Sequence, residues 1–170
     1  MTDARGQPAG SRNRPRATRA QVGIFSVAAW AILFGLVPGV IGRRGRKVGW
    51  HTGRPGLANR LGLLSVGLGA AGLVWCLASH YEPGETVPVS LVPEKLLASG
   101  PYRFSRNPMY VCEETIMLGW AAFFGSPVLV GMSTLLATFM RYAVVREERT
   151  LESRFGDDWR EYARRVPRWL

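Results

Sequence analysis

The sequence predicts an all-α, multi-pass membrane protein: a bundle of about four transmembrane helices with a short helical tail at the C-terminus. Three observations carry that expectation. No charged residue occurs from Gln21 to Gly42, from Leu61 to Ser79, or from Thr115 to Met140. A helix crossing ~30 Å of hydrocarbon needs roughly 17–25 apolar residues, so each run is long enough. The third run is interrupted by Gly125-Ser126-Pro127, which splits it into two pieces. Finally, Lys and Arg gather outside and between the runs, as they do around membrane spans.

Residues 1–20 hold Gly, Pro, Ser, Asn and five arginines with almost nothing apolar, the composition of a disordered basic tail. Residues 21–170 then read as one membrane domain. The first span is expected at about 21–42, with Pro38-Gly39 near its end as a kink or stop. It is too long for a secretory signal, and no small-residue cleavage site follows, so it reads as a retained helix. Residues 43–60 form a polar, basic, Gly-rich loop. The second span, about 60–80, is rich in Gly, Ala and Leu, which permits close helix packing.

The stretch 81–106 is the longest between spans. Pro83, Gly84, Pro88 and Pro93 keep its first part extended or turned. Leu91, Val92, Leu96 and Leu97 make it apolar enough to fold back on the membrane face. Asn107-Pro108 opens a third span, about 108–125, since Asn suits the N-cap and Pro the first helical position. The fourth span, about 127–145, completes a tight hairpin; one long tilted helix is the alternative. Beyond Arg146 the chain is densely charged. Leu151 and Phe155 share a helix face there, Gly156 ends that helix, and Asp157 is placed to cap a last one carrying Trp159 and Tyr162.

The formal charge is +10. Nucleic-acid binding is one reading of such a balance, but basic residues beside apolar spans orient the protein and meet anionic headgroups. With four spans, fifteen Lys and Arg fall on the side of both termini and six on the other, in the loop 43–60. The majority side is expected to be cytoplasmic, at the cell membrane. Cys76 and Cys112 show neither a metal spacing nor a disulfide framework, and read as small apolar packing residues.

Three groups of residues bear chemistry. Gly100-Pro101-Tyr102-Arg103 and Arg106-Asn107-Pro108-Met109-Tyr110 place two arginines beside a helix N-terminus, whose unpaired N–H groups suit a carboxylate or phosphate. Helix capping and a grip on lipid phosphate explain the same residues equally well. Glu113-Glu114 lies inside the third span, where carboxylates are costly and turn to a cavity or partner. Adjacent residues diverge by about 100° on a helix, so Glu113 is expected to face the bundle. Arg141 and Glu148, seven apart, share a face if the fourth helix continues past the membrane. With Glu147 they form a polar cluster on the side of Asn107, or else a solvated charged turn.

Together these residues resemble the isoprenylcysteine carboxyl methyltransferase and phospholipid methyltransferase superfamily, membrane enzymes that use S-adenosylmethionine. The resemblance covers about residues 61–170. It rests on Gly100-Pro101-Tyr102-Arg103, Arg106-Asn107-Pro108-Met109-Tyr110, Glu147-Glu148, Leu151, Phe155-Gly156, Tyr162 and Val166-Pro167-Arg168. It implies cofactor contacts at Lys95, Leu96, Leu97, Gly100, Tyr102, Asn107, Pro108, Met109, Tyr110 and Glu147. The catalytic candidates are Glu148, as a base where the acceptor needs one, and Arg141. No metal is implied. Asn107 stands where many members have His, and Val144 where the eukaryotic prenylcysteine enzymes carry an arginine; Arg141, one turn earlier, is the candidate substitute. The implied activity is methylation of a lipophilic or isoprenylated acceptor, foremost carboxyl O-methylation of isoprenylcysteine type. N-methylation of an ethanolamine-type phospholipid and a non-catalytic lipid-binding role on the same scaffold are the alternatives.

Overall fold

A computed structural model describes residues 27–45, 47–51, 53–79 and 95–170. The expected basic tail, the Pro-rich first part of the 81–106 stretch and the start of the first span lie outside the described residues. The architecture is an all-α membrane bundle. Helix α1 spans Val27–Arg44, α2 Leu57–Ala78, α3 Pro108–Phe124, α4 Pro127–Phe155 and α5 Asp157–Arg165. Helices α1, α2 and α4 are long and apolar enough to cross a membrane. With 17 residues, α3 reaches ~25 Å at about 1.5 Å per residue, the short end of the spanning range.

Pro38 does not stop α1, contrary to one reading of the sequence. The helix opens into a π turn at Ile32–Leu36 and continues to Arg44. Pro38 has no N–H to give the carbonyl four residues back, that of Phe34. The indole of Trp120 on α3 donates to it instead, at 2.8 Å, so the proline becomes a point of attachment between spans.

The loop 43–60 contains a feature its composition did not announce, a two-stranded antiparallel ribbon of β1 (Trp50–His51) and β2 (Arg54–Pro55). It is clasped to the α3–α4 turn. Val48 N–H donates to the Gly125 carbonyl at 3.0 Å. The Trp50 indole donates to the Phe123 carbonyl at 2.9 Å. Asn59, at the start of α2, donates to the carbonyls of Val48 and Ala122 at 3.1 and 2.8 Å. Gly125 sits at φ 56° and ψ 40°, the left-handed conformation that ends helices and favours glycine. A Cβ there would also run into the Val48 backbone.

The α2–α3 interface is the tightest in the bundle. A Cβ on Gly62 would lie 2.6 Å from the Gly119 carbonyl oxygen, and one on Gly119 2.7 Å from the Gly62 carbonyl oxygen. Such backbone approach is how small residues join membrane helices, where lipid supplies no hydrophobic drive. The hairpin is resolved in favour of two helices. Gly125 ends α3, and the Ser126 hydroxyl accepts from Leu129 N–H to cap α4. Helix α4 runs on past the expected 145 to Phe155 without a break, carrying Glu147 and Glu148 on a rigid extension. At its end Gly156, not Asp157, occupies the N-cap of α5; Asp157 and Asp158 fill its first turn, where acidic residues complement the helix dipole. Trp159, Tyr162 and Val166 form a small buried core with Leu96, Leu151 and Phe155 packed on it.

Candidate functional site

The start of α3 and the far part of α4 lie together at one end of the bundle. The link is the C-terminal segment after α5. Arg106 N–H donates to the Pro167 carbonyl at 2.9 Å. The Ser105 hydroxyl and the Asn107 amide both donate to the Arg168 carbonyl, at 3.2 and 3.1 Å. Asn107 therefore holds the N-cap position without capping: its side chain makes no bond to the helix and ties down the tail instead. The expectation that it caps α3 is corrected by that contact. The amide satisfies a carbonyl on another segment rather than an N–H of α3.

Arg168 then turns back to α4. Its guanidinium grips Glu148 in a fork, with Nε at 3.1 Å from both carboxylate oxygens and Nη2 at 2.6 Å from Oε2. Arg106 Nη1 lies 3.1 Å from Glu148 Oε1 and stacks its guanidinium 5.7 Å from the Trp159 ring centre. Planar bidentate pairing of this kind is arginine's particular strength. The bond to Glu148 raises the Arg168 pKa above its ordinary value, against the opposing effect of burial. A carboxylate has about four lone-pair positions. Glu148, buried to 9% exposure, meets guanidinium donors at both oxygens.

Its neighbour faces another way. The Tyr110 hydroxyl donates to Glu147 Oε1 at 2.9 Å, and Glu147 is otherwise open to solvent. Tyr102 lies on the same side. Burial raises its hydroxyl pKa above the ordinary value, and the nearby Glu147 carboxylate adds to the rise. Tyr102 belongs to a 3-10 turn, Gly100–Arg103, held by the Tyr162 hydroxyl, which donates to the Tyr102 carbonyl at 2.8 Å. Burial pushes the Tyr162 hydroxyl up to about 12, with Arg106 pulling the other way.

The structure thus brings Gly100, Tyr102, Asn107, Pro108, Met109, Tyr110, Glu147 and Glu148 to one end of the bundle. Leu96 joins them by packing on the α5 core, with Leu97 beside it in sequence and Lys95 exposed. Arg141 is exposed on α4, two turns before Glu148, and the ion pairs of Glu148 go to Arg106 and Arg168 rather than to it. Inside the bundle, Glu113 is buried and accepts from the Trp30 indole of α1 at 2.7 Å. Glu114 accepts from the Ser133 hydroxyl of α4. Each adjacent carboxylate therefore joins α3 to a different helix. Among the described residues no group of three His, Cys, Asp or Glu is placed to hold a metal.

Arg168 and Trp30 carry much of this geometry without having been singled out as site residues. Arg168 had a local signal in Val166-Pro167-Arg168 beside the arginine-rich start of α3. Trp30 had none, because its partner is 83 residues away.

Comparison with known proteins identifies the family. The sequence pattern of the family described as phospholipid methyltransferase matches residues 58–158. The chain is 30% identical to the nickel-cobalt-cadmium resistance protein NccN of Alcaligenes xylosoxydans xylosoxydans, over 88% of this chain and 64% of that protein. It is 32% identical to the cobalt-zinc-cadmium resistance protein CzcN of Cupriavidus metallidurans, over 98% of this chain and 73% of that protein. An uncharacterised protein of Haemophilus influenzae is 35% identical over 36% of this chain and its own full length. No solved structure matches. The matched region contains α2, α3, α4 and the Arg106–Glu148 contact that joins the two helix ends, and the chain belongs to the phospholipid methyltransferase family of membrane proteins.

Proposed function

We propose that this chain is a multi-pass methyltransferase that takes its methyl group from S-adenosylmethionine and delivers it to a lipophilic acceptor bearing a carboxylate, of the isoprenylcysteine type. The observation that carries the reading is the junction of the α3 start and the α4 extension, with Tyr110 and Glu147 bonded across it.

The residues on the Glu147 side fit the cofactor in kind. Its carboxylate needs cations, and Lys95, Arg103 and the N-terminus of α3 would supply them. Its ammonium or ribose hydroxyls need an acceptor, and Glu147 faces solvent with one oxygen held by Tyr110. Its adenine needs apolar and aromatic surface, which Leu96, Leu97, Tyr102 and Met109 offer. When bound, S-adenosylmethionine supplies an electrophilic methyl on a sulfonium, so the protein's task is positioning.

The pairing of Glu148 bears on the acceptor. Both its oxygens are engaged by guanidiniums, so in this arrangement it acts as a latch holding Arg168 and the tail rather than as a base. An acceptor that attacks as an anion needs no base. A carboxylate is one, and a low-dielectric site favours its attack because charge is neutralised as the methyl moves. Arg141, exposed on α4 two turns before Glu148, would be the residue to steer such an anion. A lipidic tail would reach the site sideways from the bilayer. We place the site and both termini on the cytoplasmic side, following the excess of Lys and Arg there.

The family match favours a second reading, N-methylation of a phospholipid amine. That acceptor must shed a proton, and Glu148 would have to release an arginine to take it. Incubating membranes that contain the protein with methyl-labelled S-adenosylmethionine separates the two. The first reading predicts label in a base-labile ester; label in methylated amine headgroups supports the second. No label in any lipid or lipidated peptide, together with no cofactor binding by the purified protein, would leave a non-catalytic lipid-binding role. The names of the two relatives tie those proteins to metal resistance, so growth under cobalt or cadmium stress is the setting in which to seek the methylated product.

A further inference from the structure

At the opposite end of the bundle from Glu148, a groove of about 470 Å³ opens between α1 and the ends of α2 and α3. Its order of chemistry is specific. The floor is aromatic, made by Trp120, Phe123 and Phe124, whose rings stack edge to face and face to face at 4.9–6.0 Å. Along α1 the wall is glycine: Gly35 and Gly39, one turn apart, both line the groove, and a Cβ on either would meet nothing within 4 Å. The lip is Leu36, Val40 and Leu63, all exposed and apolar as lipid-facing residues are. The mouth, where α1 ends, carries Arg43 and Lys47. Among the described residues neither has a carboxylate within ion-pair distance; Lys47 lies 4.6 Å over the Trp50 ring.

We infer that this groove holds one anionic phospholipid of the leaflet opposite the Glu148 end, its phosphate between Arg43 and Lys47 and one acyl chain along the Gly35–Gly39 wall. The polarity of the groove runs as the lipid's does, cationic at the helix end and apolar toward the bilayer centre. The loop 43–60 carries six cations on the side the Lys and Arg majority leaves, a placement that orientation alone disfavours. A bound phosphate accounts for the two at the groove mouth. Helix α3 separates this groove from Asn107 by ~25 Å, so the inference does not depend on methyl transfer.

The test is native mass spectrometry of the delipidated full-length chain titrated with phosphatidylglycerol, with phosphatidylcholine as comparator. One phosphatidylglycerol is expected to remain bound and to outcompete phosphatidylcholine. Each cation near a membrane surface is worth about 1 kcal/mol toward anionic lipid, so R43Q/K47Q should weaken that adduct by about thirtyfold. Gly39→Leu fills the groove where space is open, and should remove the adduct while leaving the helical circular-dichroism spectrum unchanged. Arg44→Gln, at the same helix end but outside the groove, should leave it intact. Equal retention of both lipids would overturn the inference. So would full retention in R43Q/K47Q or in Gly39→Leu, or a protein dimer in lipid-free detergent that Gly39→Leu abolishes.

Discussion

At the end of the bundle that carries Gly125, the chain is closed onto its own backbone carbonyls. Main-chain groups of Val48, Ala122, Phe123 and Gly125 are bonded across the loop, and glycines let α2 and α3 touch. At the Glu148 end, closure is by side-chain charge: two arginines on one carboxylate, an asparagine and a serine on one carbonyl. Closure at buried carbonyls and glycines leaves little room for side-chain change and offers no polar group for the methyl donor. Charge closure can open, exchange partners and admit a polar ligand. The contrast marks the first end as scaffold and the second as the place where chemistry is possible.

The sharpest way to break this contrast is at Gly125. Gly125→Val must adopt a left-handed conformation that β-branched residues avoid and must displace the Val48 backbone. A loss of more than about 3 kcal/mol, seen as a large fall in detergent melting temperature or failure to insert, is expected. A stable, well-folded variant would show that the turn is not the scaffold's anchor.

The next effect is expected at the charged end. Glu148→Ala leaves Arg106 half-buried without its partner, and should cost about 2 kcal/mol, discounted because Arg168 is partly exposed. Protease cleavage near residue 165 should rise as the tail loosens. Unchanged protection would mean that Arg106 and Arg168 do not depend on Glu148.

Alkaline titration reads the same end more gently. The Tyr162 pKa is raised from 10.0 to about 12 by burial, so the folded state favours the protonated phenol. Its contribution is complete below pH 10 and is lost as pH rises through about 12. Tyrosine absorbance should lose one late-titrating phenol in Tyr162→Phe, the one that ionises before the more strongly raised Tyr102, and in the wild type loosening of α5 should follow it.

Smaller still are changes meant to spare the fold. Tyr110→Phe removes one hydrogen bond to Glu147 and should weaken S-adenosylmethionine binding by about fivefold, with melting unchanged. Arg141→Gln should shift stability by no more than about 0.5 kcal/mol yet raise KM for a carboxylate acceptor; an unaltered KM would remove Arg141 from the site.

The scaffold was far more legible in the sequence than the site's wiring. Charge-free runs fix where helices cross, because burying a charge in hydrocarbon is expensive at any position. Gly125-Ser126-Pro127 announced the hairpin for the same local reason. The basic loop hid its ribbon, since two residues per strand carry no periodicity. Glu148 was legible as a polar residue at the right end, but its partners were not. Its obvious neighbour by spacing was Arg141, seven residues back. The tail won because Pro167 and Asn107 hold Arg168 against the carboxylate, a contact set by tertiary packing. Asn107 read as a cap for an equally local reason and was diverted by the same tail.

The most direct test of the account is calorimetric binding of S-adenosylmethionine to the purified full-length protein and to two variants, Glu147→Ala and R43Q/K47Q. The account predicts one site in the wild type, at least about tenfold weaker in Glu147→Ala and unchanged in R43Q/K47Q, which alters only the far end. Wild-type affinity in Glu147→Ala, or loss of binding in R43Q/K47Q, would place the site elsewhere and contradict it.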